Sequence, residues 1–238
     1  MPTLLLRLAA PMQAWGMASN FDARKTNREP TKSGVIGLLA AALGLRRNES
    51  GPLSQLNQLR FGIRTDRAGS LLVDFHTAGK QTPLQKRQKL KETTYITRRH
   101  YLADAVFLVG LESTDKALLE QLADALQSPA YPLFLGRRSC PPTLPLCLGI
   151  RETDLVESLR SEPALAPAAQ LGSEKSTRIL LDTDPLEPGA FPQRDLPLSF
   201  DSRHRRFGYR TVKELRFSPQ EPASNTTQHD PFAELGGA

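Results

Sequence analysis

The spacing of apolar and polar residues in the first part of the chain predicts both strands and helices. Thr3 to Ala9 is a short apolar run between two prolines and indicates a buried strand. Residues 11–32 lack a clear period and indicate a long loop. Ser33 precedes an apolar stretch that ends before Gly44, which is typical of a helix with an N-cap serine and a glycine after its last turn. Two strands separated by a turn at Ala68-Gly69 are expected next, Arg60 to Arg67 and Leu71 to Thr77.

Three further elements are expected before residue 150. Tyr101 to Leu111 alternates apolar side chains and has the strongest strand pattern of the chain. Ser113 to Gln127 carries four leucines at helical spacing and Asp115 in its first turn, so an amphipathic helix is predicted. Leu144 to Ile150 indicates another strand. The order strand, helix, strands, strand, helix, strand is that of the split βαβ, or ferredoxin-like, arrangement.

The pattern weakens after residue 150, where prolines become frequent. Arg178 to Leu181 and Phe207 to Leu215 are the two strands expected there. We therefore predict an α+β protein with a ferredoxin-like core over residues 1–150 and an irregular, β-rich C-terminal lobe over residues 151–218. Residues 219–238 are rich in polar residues, glycine and proline, which predicts a flexible tail.

Composition narrows the class of protein. The longest apolar run, Val35 to Leu45, is shorter than the roughly 20 residues that span a bilayer, and Arg7 interrupts the apolar run near the start. The two cysteines, Cys140 and Cys147, cannot form a disulfide framework or a four-cysteine zinc site. We therefore expect a cytoplasmic protein without a membrane partner, a metal site or another cofactor.

The net charge of +6 is unevenly distributed along the chain. Residues 1–150 hold 20 basic and 11 acidic side chains, whereas residues 151–238 hold 11 and 14. Arginine outnumbers lysine 22 to 9, and the planar guanidinium suits phosphate forks and base stacking. This distribution favours a polyanion-binding N-terminal part, although a high-GC genome would also write arginine for lysine.

Two segments combine features that favour phosphate binding. Residues 80–99 carry seven basic and one acidic residue between two strand-like runs, so a loop or hairpin there could follow a nucleic-acid backbone. Gly136-Arg137-Arg138-Ser139 offers backbone N–H groups, guanidinium forks and a hydroxyl to one anion, without the spacing of a P-loop. A solvated loop and an exposed turn are the alternative interpretations.

The start of the first helix is a third candidate. Ser33 is expected to cap the helix, and a helix N-terminus beside Lys32 favours phosphate. A cap without a ligand is the alternative.

The histidines determine whether catalysis is plausible. A metal-independent ribonuclease needs a base for the 2′-hydroxyl and an acid for the leaving oxygen, and histidine, tyrosine and lysine can serve. His100 with Tyr101 or Tyr95 is the grouping that fits this alternative. No second histidine is close in sequence, and only folding could bring His76 near.

Five motifs in order resemble the CasD-type subunit family of the type I-E CRISPR Cascade complex, within the RAMP superfamily. They span about residues 4–150 and are specific in combination. The motifs are Leu6 to Gly16, Pro30 to Leu39, Asp74 to Thr77, Tyr101 to Ala105 and Tyr131 to Pro141.

The resemblance implies an RRM-related, ferredoxin-like core with an inserted basic β-hairpin thumb at about residues 78–100. It further implies a non-catalytic subunit for antiviral defence that binds the 5′ handle of the CRISPR RNA and caps the backbone filament. Its implied partners are a neighbouring backbone subunit, the large subunit, and target DNA through the complex. A related subtype uses its equivalent subunit as a repeat-processing endoribonuclease, which keeps His100 and Tyr101 as an alternative catalytic pair.

These arguments together give a set of expected RNA-contacting residues. The set is Gln13, Trp15, Lys32, Ser33, His76, Lys86, Arg87, Arg98, Arg99, Arg137, Arg138 and Ser139.

Overall fold

The computed structural model describes residues 1–16, 22–80, 87, 93–166 and 177–217. The expected RNA contact at Lys86 and the flexible tail at 219–238 lie outside these residues. The strands are β1 (Thr3–Ala9), β2 (Met12–Gln13), β3 (Ala23–Arg24), β4 (Arg60–Arg67), β5 (Ser70–Lys80), β6 (Thr93–Ala103), β7 (Val106–Glu112), β8 (Cys147–Arg151), β9 (Thr177–Asp182), β10 (Phe191–Ser199) and β11 (Arg206–Phe217). The helices are α1 (Lys32–Ala42), α2 (Ser50–Asn57), α3 (Lys116–Gln127) and α4 (Leu155–Ser161).

The strands form two sheets, so the protein has the mixed α+β fold that the sequence predicts. One sheet has the order β10-β11-β9-β4-β7-β1-β8, and every adjacent pair in it is antiparallel. The second sheet consists of β2, β6 and β3, with β5 paired to β6. The β5–β6 hairpin therefore leaves the seven-stranded sheet after β4 and returns to it at β7.

Helices cover both faces of the seven-stranded sheet. The larger core cluster contains leucines of α1, α2 and α3 packed against Leu4, Leu6 and Leu8 of β1. A smaller cluster joins Leu155 and Leu159 of α4 to the opposite face. None of the helices in the described part of the chain is long and apolar enough to cross a membrane.

The first expected strand and helix are confirmed, with one correction at the helix cap. β1 spans the predicted residues. Thr31, not Ser33, is the N-cap of α1, and its side chain accepts a hydrogen bond from the Gly34 N–H. The helix thus begins two residues earlier than expected, because threonine at position 31 has the extended backbone that a cap requires.

The strand expected from Tyr101 to Leu111 is wrong, because the chain breaks there into β6 and β7. The break lies at Asp104, whose φ of 56° is in the left-handed region. Its N–H donates to the Pro11 carbonyl at 3.1 Å. Apolar alternation continues on both sides of the break because each strand buries side chains, so periodicity alone does not reveal a change of sheet.

The C-terminal strands extend the sheet of the N-terminal part, which corrects the expected irregular lobe, and irregularity is confined among them to two register shifts between β10 and β11. β9 pairs with β4, β11 pairs with β9, and β10 lies at the edge. Pro192 and Pro197 lie in β10, where an edge strand tolerates residues that cannot donate a backbone hydrogen bond. These prolines conceal the strand in the sequence, and α4 was also not expected. The division of the chain into domains stays a prediction.

Candidate nucleic-acid interface

The β5–β6 hairpin presents two chemically different faces. Its register runs from Ser70 opposite Ala103 to Lys80 opposite Thr93, and successive side chains of a strand lie on opposite faces. We call the face with His76 and Arg99 the cationic face. It also carries Asp74, Tyr95, Thr97 and Tyr101. The opposite, apolar face carries Leu71, Val73, Phe75, Ile96, Arg98 and His100.

Two arginines lie side by side on the cationic face. β3 pairs with β6 in parallel, which places Arg24 beside Arg99. Arg24 is exposed and Arg99 is half-buried. Neither guanidinium is ion-paired with a carboxylate among the described residues, so both remain available to an anion.

Arg137 fixes a loop against this face. Its guanidinium lies 4.5 Å from the centroid of the Tyr101 ring and donates to the His100 carbonyl at 3.0 Å and the Arg24 carbonyl at 2.7 Å. Because these contacts occupy much of the guanidinium, Arg137 mainly positions its neighbours. Arg138 and Ser139 follow it and are exposed.

The Tyr101 phenol is part of the same contact. Its oxygen lies 3.5 Å from Ser139 Oγ. Burial, the largest single effect, raises its pKa, but hydrogen bonds with Ser139 and Arg137 and the charge of Arg137 together lower the pKa of Tyr101. The Tyr101 ring and hydroxyl thus stabilise the loop that carries Arg137 and Ser139.

The loop itself closes through main-chain contacts. The Leu135 N–H donates to the Cys140 carbonyl at 2.7 Å, and the Cys140 N–H donates to the Arg137 carbonyl at 2.9 Å. The Ala14 N–H donates to the Leu135 carbonyl at 3.1 Å. Gly136 has a φ of 89° and packs so closely on Ala14 that no side chain fits between them. The loop therefore presents Arg138 on a fixed backbone.

Gln13 and Trp15 belong to the core, which corrects their expected contact with RNA. Their exposed fractions are 0% and 1%. The Gln13 amide donates to the carbonyls of Leu8 and Ala105 and accepts from the Trp15 indole N–H. Every polar atom of the pair is thereby used inside the protein.

The expected phosphate site at the start of α1 is also corrected. Lys32 is 4% exposed, and its ammonium donates to the Leu59 carbonyl at 2.7 Å and to Asp182 at 2.9 Å. Its backbone N–H donates to the Asp195 carboxylate at 2.8 Å. A carboxylate of the chain thus takes the place that a phosphate would need, and Ser33 is buried beside it.

The remaining expected residues are separated by the hairpin. His76 and Arg99 share the cationic face, whereas Arg98 lies on the apolar face, 5.5 Å from the centroid of the Phe75 ring. Arg87 is exposed.

The alternative catalytic pair is also separated. His100 and Tyr101 are consecutive residues of β6 and lie on opposite faces of the hairpin. His76 lies on the face opposite His100. A general base and a general acid must both reach the same phosphodiester, and in this structure neither pair of side chains shares a face of the hairpin.

Comparisons with known proteins agree with one another. Residues 3–213 match a family model described as CRISPR-associated protein (Cas_Cas5). The CRISPR system Cascade subunit CasD of Escherichia coli strain K12 is 42% identical over 157 residues, which cover 61% of this chain and 70% of that protein. A solved chain titled CRISPR RNA-guided surveillance complex has a TM-score of 0.75 and 34% identity, covering 95% of this chain and 96% of its own. A second, titled crystal structure of Cas protein, has a TM-score of 0.70 and 39% identity, covering 92% and 99%.

Proposed function

This chain belongs to the Cas5 family of CRISPR-associated proteins, and we propose that it serves Cascade as a non-catalytic subunit that binds the 5′ handle of the CRISPR RNA. The observation that carries the handle assignment is the cationic face, where Arg24 and Arg99 lie side by side without carboxylate partners among the described residues. Through the complex, the subunit takes part in defence against foreign DNA.

The chemistry of the cationic face fits a single-stranded handle. Such RNA exposes its phosphates and unstacked bases, which proteins bind with guanidinium groups and aromatic rings. Arg24, Arg99 and Arg138 supply the guanidinium groups. Tyr95 lies on the same face as Arg99 and is 55% exposed, so its ring is available for stacking.

We assign the core to the ferredoxin-like arrangement. The elements β1, α1, β4, β7, α3 and β8 follow the chain order of that fold when the β5–β6 hairpin is treated as an insertion. Their sheet order β4-β7-β1-β8, with antiparallel neighbours, supports the assignment.

The apolar face is suited to a protein partner. Leu71, Val73, Phe75 and Ile96 are 46–62% exposed on one side of the hairpin. Contiguous exposed apolar side chains are typical of interaction sites. We assign the neighbouring backbone subunit as the partner of this face. In this arrangement the present chain caps the end of the backbone filament. Contact with the large subunit and with target DNA through the complex completes the proposal.

Replacing both Arg99 and Arg138 by glutamine is expected to weaken handle binding about 10²- to 10⁴-fold, because two charge-assisted hydrogen bonds are lost and each contributes about 1.5–3 kcal/mol. The slope of log affinity against log salt concentration should fall by about 1.4, since about 0.7 counterion is released per phosphate of a single strand. Fluorescence anisotropy with labelled handle RNA measures both quantities.

The matched control removes two arginines from another exposed loop, Arg46→Gln with Arg47→Gln. It should leave the affinity and the salt slope close to those of the unmodified protein. Equal slopes for the two double variants would contradict handle binding at the cationic face.

His100→Ala is expected to change no cleavage rate, because a non-catalytic subunit has none to lose. The experiment incubates the purified protein with repeat RNA in EDTA and resolves the products on a gel. Discrete products that disappear in His100→Ala would instead establish the endoribonuclease alternative, since loss of a general base costs about 10²–10⁴-fold in rate.

A further inference from the structure

The loop that joins β10 to β11 carries a dense positive charge that the proposed handle site does not use. We call residues 201–206 the arginine tip. Arg203, His204, Arg205 and Arg206 are all exposed. No carboxylate of the described residues forms an ion pair with these arginines. The acid within the tip, Asp201, accepts the Arg203 backbone N–H at 2.7 Å and so shapes the turn.

The arginine tip is held on a rigid base. Below it, the buried Arg210 side chain donates to Asp195 at 2.6 Å. The Asn57 side chain donates to the Pro197 carbonyl at 2.6 Å and joins the hairpin to the end of α2. A ligand of the tip would therefore find the backbone already ordered, which removes one cost of binding.

An exposed aromatic ring lies three residues beyond Arg206 along β11, on the opposite face of that strand. Arg210 turns inward, and Tyr209 beside it is 66% exposed. Arg194 of β10 is exposed as well. A hairpin that carries exposed cations and an exposed ring can offer both phosphate contacts and base stacking to a nucleic acid.

The arginine tip and the cationic face belong to opposite ends of the seven-stranded sheet. β4 and β11 run in the same direction, because each is antiparallel to β9. The tip precedes β11, whereas the β5–β6 hairpin follows β4. The eight residues of β4 span about 26 Å at roughly 3.3 Å per residue, so the two surfaces would meet different stretches of a strand.

We propose that the arginine tip is a second contact for a nucleic-acid phosphate backbone, beyond the handle site. The backbone belongs either to the CRISPR RNA past its handle or to the DNA target. The two share the same phosphodiester chemistry, and the experiment distinguishes them.

The test replaces Arg203 and Arg205 by glutamine in the full chain. Binding is measured against salt concentration with three labelled probes of equal length and no handle sequence: single-stranded RNA, single-stranded DNA and duplex DNA. We expect the salt slope to fall by about 1.4 for a single strand or about 1.8 for a duplex, if both arginines contact phosphates. A fall with RNA alone identifies the guide, and a fall with DNA alone identifies the target. A fall with all three probes supports the phosphate contact and shows that the tip accepts either backbone.

Two comparisons make the result specific. Arg46→Gln with Arg47→Gln removes the same charge elsewhere, and Arg203→Lys with Arg205→Lys keeps the charge of the tip and should keep most of the slope. Slopes with all three probes that match the unmodified protein, or an equal fall in the Arg46 and Arg47 variant, would overturn the proposal. So would loss of a protein partner with unchanged nucleic-acid binding.

The Arg99 and Arg138 variant, measured with the same three probes and with handle RNA, separates this proposal from the handle assignment. A reduced salt slope for the Arg203 and Arg205 variant supports the arginine tip as a contact even if the Arg99 and Arg138 variant binds handle RNA normally. An unchanged slope for the tip variant, together with a reduced slope on handle RNA for the Arg99 and Arg138 variant, overturns the proposal for the arginine tip and leaves the handle assignment intact. Exposed loop substitutions usually change stability by less than about 0.5 kcal/mol, and thermal unfolding verifies that the variants are folded.

Discussion

Replacing Asp195 by asparagine is expected to lower the free energy of unfolding by about 3–5 kcal/mol, the usual cost of removing one partner from a buried ion pair. Asp195 is fully buried and accepts hydrogen bonds from the Arg210 guanidinium at 2.6 Å and from the Lys32 backbone N–H at 2.8 Å. Asp182 completes the set by pairing with both cations. Two cations and two carboxylates thus balance in the core, and the variant leaves one positive charge uncompensated.

The Arg210 guanidinium cannot escape this imbalance by losing a proton. Burial, the largest single effect, lowers the pKa of Arg210, but hydrogen bonds and charges of Asp195 and Asp182 raise the pKa overall. A guanidinium keeps its proton in proteins even without such partners, so Arg210 stays charged and buried in the variant. The N-terminus of α1 also loses the carboxylate that faces its first N–H group.

Glu187→Gln is the matched control for this change. Glu187 pairs with Lys213 at 3.2 Å on the surface, where an ion pair contributes less than about 1 kcal/mol. Urea unfolding gives both free energies, and the midpoint of thermal unfolding should fall by roughly 10 °C for Asp195→Asn alone. Comparable small losses for the two variants would show that the buried network contributes little.

Local patterns were sufficient for the elements whose neighbours in sequence determine them. The apolar run of β1 was recognised because the strand is buried on both faces, and the four leucines of α3 because burial on one side repeats at the period of a helix. The charge of residues 80–99 likewise indicated a basic hairpin, and β5 and β6 form its arms.

Long-range pairing was not accessible in the same way. Asp195 meets Lys32 from 163 residues away, so nothing near either residue marks the contact. The sequence pattern of a lysine at the start of a helix is the same whether that lysine binds a phosphate or a buried carboxylate. Likewise, Gln13 and Trp15 form a buried hydrogen bond that only the fold reveals.

One residue of the candidate site was missed for a related reason. Arg24 is a single arginine in the long loop of residues 11–32, without a motif around it. It joins the cationic face because the short strand β3 pairs with β6 in parallel and places it beside Arg99. The positive net charge of the first 150 residues was the signal for a polyanion-binding surface in the sequence. It does not show which individual arginines lie on that surface.

Gly136→Ala is expected to be strongly destabilising and to abolish most handle binding. With φ at 89°, any residue other than glycine is strained by about 1–3 kcal/mol. In addition, a Cβ atom at this position would lie 1.7 Å from the Ala14 carbonyl oxygen, which is backbone and cannot rotate away. The loop must therefore move off Ala14, and the hydrogen bond between Ala14 and Leu135 is lost with it, for a total of about 3–5 kcal/mol. Arg138 moves with the loop, so handle affinity should fall beyond what the loss of stability explains.

Gly189→Ala separates the effect of strain from that of the clash. Gly189 has a φ of 80°, and a Cβ atom there would meet nothing within 4 Å. Its substitution should cost only the backbone strain and leave handle affinity unchanged. Urea unfolding and anisotropy with handle RNA, measured on both variants at a temperature where each is folded, give the two differences. If the two glycine variants lose equal stability and bind the handle equally well, the loop does not depend on its contact with Ala14 and does not position Arg138 for RNA.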